Sequence, residues 1–360
     1  IHSESSPGDN HALSCISHLK NLQRLNISST KIQSLPTSFG QLKQLIFLNA
    51  SKNEIRGIEG DFLRDVAKLS HLILFDNQIS HLPREIADCP LRILELDNNC
   101  LTHLPNNFFE SNYLREVYLS FNKLEELPRV AFQNDSLQIL EAESNNLKHL
   151  PESFHNLVTL SIISLSRNKL SEFSLKMNSL GDISLASNQL KKFPNCIKEL
   201  SNLLRLNISY NEIESIDDDS FEKCNQLRQI ILTGNRLGNF PISIYNCTNL
   251  ETLLIGENRI QKIPKLSKLL DMQFLSHLSL WGNELSYRQI YRLVAPQAGR
   301  GSGSNYSQNN PMTDSGNTYG GGTAVIPNYQ GITNDNITWQ KSDTWNAGFD
   351  AYLLKGRLTV

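Results

Sequence analysis

The hydrophobic and polar positions of residues 22–285 repeat with a period of about 23 residues. Each copy follows the pattern Leu-x-x-Leu-x-Leu-x-x-Asn-x-Leu, as in Leu91, Leu94, Leu96, Asn99 and Leu101. The asparagine marks the register, with Thr30 in its place in the earliest copy, and it recurs at Asn53, Asn77, Asn99, Asn122, Asn145, Asn168, Asn188, Asn211, Asn235, Asn258 and Asn283. These positions define twelve copies.

The leucine spacing predicts the geometry of each copy. Leucines two residues apart on a short strand point to the same side. Copies stacked about 4.8 Å apart would join their strands into a parallel sheet, and the stack would bury leucines that a single copy cannot bury. The asparagine follows the strand, where we expect its amide to bond backbone groups of neighbouring copies.

Repeats of this length and motif resemble leucine-rich repeats, over about residues 13–295. The resemblance implies an α/β fold: a right-handed solenoid, or horseshoe, with a parallel β-sheet on its concave face. Most copies continue with Leu-Pro or Phe-Pro and then an aromatic residue or Ile, as in Leu150, Pro151 and Phe154. Because proline fits the first turn of a helix, this predicts short helical turns on the convex side. The form is similar to the 23-residue class of Ras-suppressor-like, plant Ras-group-related and bacterial repeats.

The seventh copy departs from the pattern. Asn168 and Asn188 are 20 residues apart, and the segment from Glu172 to Leu175 lacks the proline. We therefore expect a shallower coil there, with a local change in curvature.

Composition divides the chain near residue 300. Residues 1–299 contain 52 leucines, whereas residues 300–360 contain 3 leucines but 9 of the 19 glycines. The stretch around Gly301 and Ser302 reads as a flexible linker. The expected organisation is a lead-in at 1–21, a solenoid of about twelve repeats at 22–295, a Gly/Ser linker at 296–304 and a Gly/Asn-rich tail at 305–360. Ile1 begins the chain without a basic-then-apolar leader, which indicates a processed or truncated start.

The end of the tail carries a second resemblance. The run from Asn336 to Asp350, which includes Trp339 and Trp345, resembles a barrel segment of SusC-like TonB-dependent outer-membrane transporters. Lys355 and Gly356 suit a two-residue hairpin turn. Since one hairpin cannot close a barrel, we expect either a tail that lacks its fold and pairs as one β-hairpin, or a disordered Gly/Asn tail.

The non-leucine strand positions predict the functional surface, because they alternate to the concave, exposed face. Apolar and aromatic groups bordered by carboxylates are typical of protein interfaces. The alternative is that they are ordinary strand residues with high β-propensity. The candidate partner-binding residues are Phe47, Ile73, Phe75, Ile93, Glu95, Asp97, Glu116, Tyr118, Phe121, Glu141, Glu143 and Arg167.

Charge and apolar runs exclude several partner classes. The net charge of −2 lacks the basic excess of a nucleic-acid binder. Apolar runs of only a few residues predict no transmembrane helix, since a span needs about 20. We expect a monomer that binds a protein with a basic surface.

Catalytic and metal signatures are missing from the sequence. No Gly-x-Ser-x-Gly, His-Glu-x-x-His, Walker or dinucleotide motif occurs, so we expect no enzyme and no cofactor. His81, His103 and His149 share one slot but are joined by no cysteine, so we expect no metal site. Six scattered cysteines without a Cys-x-x-Cys pair indicate reduced thiols and hence a cytoplasmic repeat domain.

The sequence therefore predicts a non-catalytic protein-recognition scaffold. If the tail is genuine, the alternative is a surface-exposed capture component, or composite fragment, of a TonB-dependent nutrient-uptake system at the bacterial outer membrane or cell surface.

Overall fold

The fold is an open parallel sheet of twelve short strands, one from each repeat. The computed structural model describes residues 13–286 and 289, together with the backbone of 350–354 and 357–359. Each strand pairs in parallel with the strands of the adjacent repeats. The strands are β1 (Arg24–Asn26), β2 (Phe47–Asn49), β3 (His71–Ile73), β4 (Ile93–Glu95), β5 (Glu116–Tyr118), β6 (Ile139–Glu141), β7 (Ile162–Ser164), β8 (Asp182–Ser184), β9 (Arg205–Asn207), β10 (Gln229–Ile231), β11 (Thr252–Leu254) and β12 (His277–Ser279).

The leucine spine lies in the interior, as the spacing predicts. The middle residue of each strand is in register with that of the next, as in Leu48 opposite Leu72 and Leu72 opposite Leu94. All three side chains are fully buried. The buried residues form one continuous core along the stack, because each coil covers the apolar face of its neighbour.

The repeated asparagines tie adjacent coils together through their side chains. Asn77 donates its amide to the carbonyls of Ala50, one coil earlier, and of Leu74, at 3.1 and 3.0 Å. Its Oδ1 accepts the backbone N–H of Ile55 at 3.0 Å. A buried backbone N–H or carbonyl without a hydrogen-bond partner destabilises the folded state. The asparagine side chains supply these partners in the tight turns.

The convex side consists mainly of 3-10 helices, as expected from the Leu-Pro motif. Phe39, Phe108 and Phe154 point from it into the core and are fully buried. The helical segments are 3-10 helices at Thr37–Gln41, Arg84–Ile86, Phe108–Glu110, Glu152–Asn156, Asn195–Glu199 and Ile242–Asn246, and α-helices at Gly60–Asp65 and Leu266–Leu270. Proline precedes several of these helices as the N-cap residue in extended conformation, as Pro36 does, rather than occupying the first turn.

The seventh copy has no helical segment among residues 165–181, all of which are described. Instead Phe173, Leu175 and Met177 are buried along an irregular connection between β7 and β8. Three apolar side chains therefore fill the interior of this copy without a helical segment. The change in curvature stays a prediction.

For residues 350–354 and 357–359, only the backbone is described. Strand β13 (Asp350–Leu354) pairs antiparallel with β12, and β14 (Arg357–Thr359) pairs antiparallel with β13. The linker expected at 296–304, the Trp339 and Trp345 of the transporter-like run and the Lys355-Gly356 turn lie outside the described residues. In the part of the chain that is described, no helix has the length and apolarity needed to span a bilayer.

Candidate functional site

The open face of the sheet carries the candidate site. We use this name for the first and third side chains of each strand, which lie opposite the leucine core. Around buried Leu94, for example, Ile93 and Glu95 are both partly exposed. Register then fixes the neighbours, because parallel strands align equivalent positions: Glu95 lies opposite Tyr118, and Tyr118 lies opposite Glu141.

Five carboxylates gather on this face around Tyr118. We call them the acidic patch; its members lie on or directly after β4, β5 and β6 and are Glu95, Asp97, Glu116, Glu141 and Glu143. Ile93 and Ile139 lie on either side of Glu116 in the sheet. The sequence-predicted residues of these three coils are thus brought together on one surface.

Burial and mutual repulsion both act on the acidic patch. Burial raises the pKa of Glu95 above its ordinary value, and the charges of Asp97 and Glu116 raise it further. Burial, Asp97 and Glu143 raise the pKa of Glu141 in the same direction. The patch therefore holds negative charge at a cost that a nearby cation would reduce.

Among the acidic-patch residues with a shifted pKa, Asp97 is the most buried. Its carboxylate accepts the backbone N–H of Ser120 at 2.7 Å, which lowers its pKa. Burial outweighs that bond, so the pKa of Asp97 is raised overall.

Tyr118 stays a hydrogen-bond donor at neutral pH. Its hydroxyl donates to Glu116 Oε2 at 3.0 Å. Burial, followed by this bond and the charges of Glu116, Glu141 and Glu95, raises the pKa of Tyr118. The ring and the carboxylate are thereby held in a fixed relation at the centre of the patch.

None of the five carboxylates forms an ion pair within residues 13–286. Elsewhere on the sheet, charge is neutralised: Arg205 donates to Asp182 through Nε at 2.9 Å and through a second nitrogen at 2.5 Å. The acidic patch is therefore a group of five neighbouring carboxylates with no ion-pair partner among residues 13–286.

The remaining sequence-predicted residues lie outside this patch. Phe47 lies under the guanidinium of Arg24, with 4.2 Å between Cζ and the ring centroid, and the ring of Phe75 is 5.9 Å from Lys52 Nζ. Ile73 ends β3 beside Glu95. Phe121 and Arg167 lie on the rim of the sheet, in the turn before the asparagine, where both have a φ of 57°.

Sequence reasoning missed His71 on the open face. It begins β3 in register between Phe47 and Ile93, and its ring centroid is 6.1 Å from that of Phe47. The signal was available, because His71 occupies the same repeat position as Phe47 and Ile93.

Metal and thiol chemistry do not define a site in the described residues, which contain no group of three or more His, Cys, Asp or Glu side chains placed to hold a metal ion. All six cysteines are described and are free thiols. Burial raises the pKa of both Cys89 and Cys196 to about 12, so these thiols are inert packing groups.

Known proteins share the repeat. Residues 21–42, 112–170 and 178–237 match the family described as leucine rich repeat. A leucine-rich-repeat protein of Leptospira interrogans is 28% identical and superimposes with a TM-score of 0.71 over 78% of this chain and 72% of its own. The chain contains a leucine-rich-repeat domain.

Other proteins that share the leucine-rich-repeat domain differ in everything around it. The ectodomain of the plant membrane receptor kinase GASSHO1/SCHENGEN3 from Arabidopsis thaliana, solved in complex with CASPARIAN STRIP INTEGRITY FACTOR 2, is 26% identical, with a TM-score of 0.60 over 76% of this chain and 37% of its own. An adenylate cyclase of Podospora anserina is 31% identical over 123 residues, which are 34% of this chain and 6% of the cyclase. The chain thus spans a small part of these two proteins, and the shared repeat assigns no catalytic activity.

Proposed function

We propose that the leucine-rich-repeat domain is a non-catalytic scaffold that binds a basic segment of a protein partner on the acidic patch. The observation that carries the proposal is the set of five carboxylates without an ion-pair partner among residues 13–286, of which Glu95, Asp97 and Glu141 have raised pKa values. An Arg or Lys side chain placed among them would remove the repulsion and supply the missing hydrogen-bond donors.

The surroundings of the patch favour a peptide-like partner over an isolated cation. Ile93 and Ile139 flank Glu116 on the sheet, and Phe121 lies exposed on the rim beside it. Apolar groups next to desolvated charge provide the anchors of a protein interface, whereas the charges supply specificity and orientation. Similarity to a receptor ectodomain solved with its partner supports the same class of function.

A peptide library displayed on phage tests the proposal, because the partner sequence is unknown. Selection on the intact chain should enrich peptides that combine Arg or Lys with apolar residues. The variant Glu95→Gln/Glu116→Gln/Glu141→Gln should bind the selected peptides at least about tenfold more weakly without any fall in its melting temperature.

A matched control uses three small polar residues from later coils. Ser184→Ala/Ser187→Ala/Thr233→Ala changes the same number of positions near the open face, outside the acidic patch. It should leave peptide affinity unchanged. Enrichment of neutral or acidic peptides, or equal loss in both triple variants, would show that the patch is not the binding surface.

A further inference from the structure

Two exposed aromatic side chains lie at the other end of the sheet, far from the acidic patch. Tyr210 follows β9 and is 52% exposed; Trp281 follows β12 and is 38% exposed. Exposed aromatic rings offer a large, rigid apolar area at low cost in conformational entropy, which is why they anchor interfaces.

Each ring lies over a glycine of the adjacent coil. A Cβ atom added to Gly234 would be 2.4 Å from Cδ1 of Tyr210, and one added to Gly256 would be 3.0 Å from Cδ1 of Trp281. Both rings therefore lie directly against the backbone. A side chain at Gly234 or Gly256 would clash with the ring, so both ring positions require glycine.

The two rings lean toward each other. Tyr210, from the coil of β9, covers a glycine of the β10 coil, whereas Trp281, from the coil of β12, covers a glycine of the β11 coil. The strands β9 and β12 are three coils apart, but the two rings lie over the adjacent coils of β10 and β11, whose strands are about 4.8 Å apart. We call the feature formed by Tyr210, Gly234, Gly256 and Trp281 the aromatic slot.

The polar atoms of the slot are donors without acceptors. Within residues 13–286, neither the hydroxyl of Tyr210 nor the indole N–H of Trp281 makes a hydrogen bond. Glu257, next to Gly256, forms no ion pair with any described side chain. The slot thus presents flat apolar faces, two free donors and one carboxylate at its edge.

This chemistry fits one kind of peptide. A proline residue offers a rigid apolar ring and a carbonyl acceptor but no backbone N–H, so it complements a surface that supplies rings and donors. Proline-rich segments are also preformed as extended left-handed helices, which lowers the entropy lost on binding to shallow aromatic grooves. We propose that the aromatic slot binds a proline-rich segment of a partner protein, with a basic residue of that segment beside Glu257.

The test uses a defined probe and the full chain. A fluorescein-labelled polyproline peptide of about ten residues with one terminal arginine should bind with a Kd on the order of 100 µM, measured by fluorescence anisotropy. A peptide of equal length in which alanine and serine replace the prolines should bind at least about tenfold more weakly. Glu257→Gln should weaken binding of the arginine-bearing peptide by about threefold and leave a peptide without arginine unaffected.

Substitutions of the rings separate the slot from a general effect of lost aromatic surface. Tyr210→Ser and Trp281→Ser should each weaken polyproline binding by at least about tenfold. Phe121→Ser is the matched control, because Phe121 occupies the same turn position as Tyr210 with a φ of 57° against 54° and 53% exposure against 52%. It should leave polyproline affinity unchanged.

Several outcomes would overturn the proposal. They are no anisotropy change at about 1 mM chain, equal binding by the ring variants and the unchanged chain, or binding of a glucose hexasaccharide in place of polyproline. The result is independent of the acidic patch, since Glu95→Gln/Glu116→Gln/Glu141→Gln should retain polyproline binding. Failure of the unchanged chain to bind basic peptides, with polyproline binding retained, would therefore contradict only the proposed function.

Discussion

The side-chain amide of Asn122 donates to the carbonyl of Leu96 in the preceding coil at 3.0 Å. The same amide donates to Leu119 at 3.0 Å, and its Oδ1 accepts the N–H of Leu101 at 2.9 Å. With a further bond from its amide to the carbonyl of Ser120, this buried residue contacts four backbone groups in two coils.

Removing the Asn122 side chain measures how much these hydrogen bonds stabilise the fold. Asn122→Ala leaves buried backbone groups without partners, so we expect the free energy of unfolding to fall by about 1–3 kcal/mol. Urea denaturation followed by circular dichroism measures the change. Asn202→Ala is the control, because Asn202 makes a single cross-coil bond to Asn178 at an exposed position; a loss as large as that of Asn122→Ala would contradict the argument.

The leucine spine makes a second prediction. Leu94→Ala should lower the free energy of unfolding by about 2–5 kcal/mol, because Leu94 is fully buried between the neighbouring strand residues and its truncation leaves a cavity. Ile93→Ala, at the partly exposed neighbouring position, should cost less. Thermal and urea denaturation measure both variants. If Leu94→Ala and Ile93→Ala lost the same free energy of unfolding, the two side chains would be equally buried in solution.

The acidic patch predicts how stability depends on pH. The pKa values of Glu95 and Glu141 are raised in the folded state, so protonation favours folding: the contribution is present below the ordinary value of 4.5 and is lost as the pH rises through the raised pKa. Glu95→Gln/Glu141→Gln should therefore raise the melting temperature at about pH 7 by roughly 1 °C or more, and the gain should vanish at about pH 3.

An acidic residue outside the patch provides the comparison. Glu125 is exposed and lies 3.5 Å from Lys148 Nζ, so Glu125→Gln should give no stabilisation at neutral pH. Scanning calorimetry across the pH range measures both variants. A double variant that is less stable than the parent at neutral pH would show that the patch carries no net repulsion.

The free thiols give the fourth prediction. Cys15 is exposed, whereas Cys89 and Cys196 are buried and burial raises their pKa values to about 12. Maleimide should therefore modify Cys15 first in the folded chain and reach the other two only after urea unfolding. Peptide mapping by mass spectrometry identifies the sites; modification of Cys89 at the rate of Cys15 would contradict the burial.

The repeat pattern predicted the parts of the fold that every copy shares. Leu48, Leu72 and Leu94 point inward because strand geometry puts alternate side chains on opposite faces, a rule that needs no tertiary information. The asparagine register and the buried aromatic of the Leu-Pro segment follow in the same way. Where one copy breaks the pattern, the sequence indicated the break but not that Phe173, Leu175 and Met177 would together fill the interior.

Candidate residues were predicted by position and not by interaction. The pattern placed Phe121 and Arg167 with the strand residues, whereas the structure puts both in left-handed turns on the rim. The set of candidate residues omitted His71, Tyr210 and Trp281. The relation of the last two to Gly234 and Gly256 depends on the direction in which each ring leans, which a periodic pattern does not contain.

The sequence by itself determined the twelve-coil stack, the inward leucines and the set of side chains on the open face, because these follow from the repeat length and from the alternation of a strand. Only the tertiary structure decided which of those side chains interact. Burial raises the pKa of Glu95, with a contribution from Glu116 in the next coil, and Trp281 lies over Gly256 of the preceding coil. Those neighbours lie some two dozen residues away along the chain, and only the packing of one coil against the next sets the distance between them.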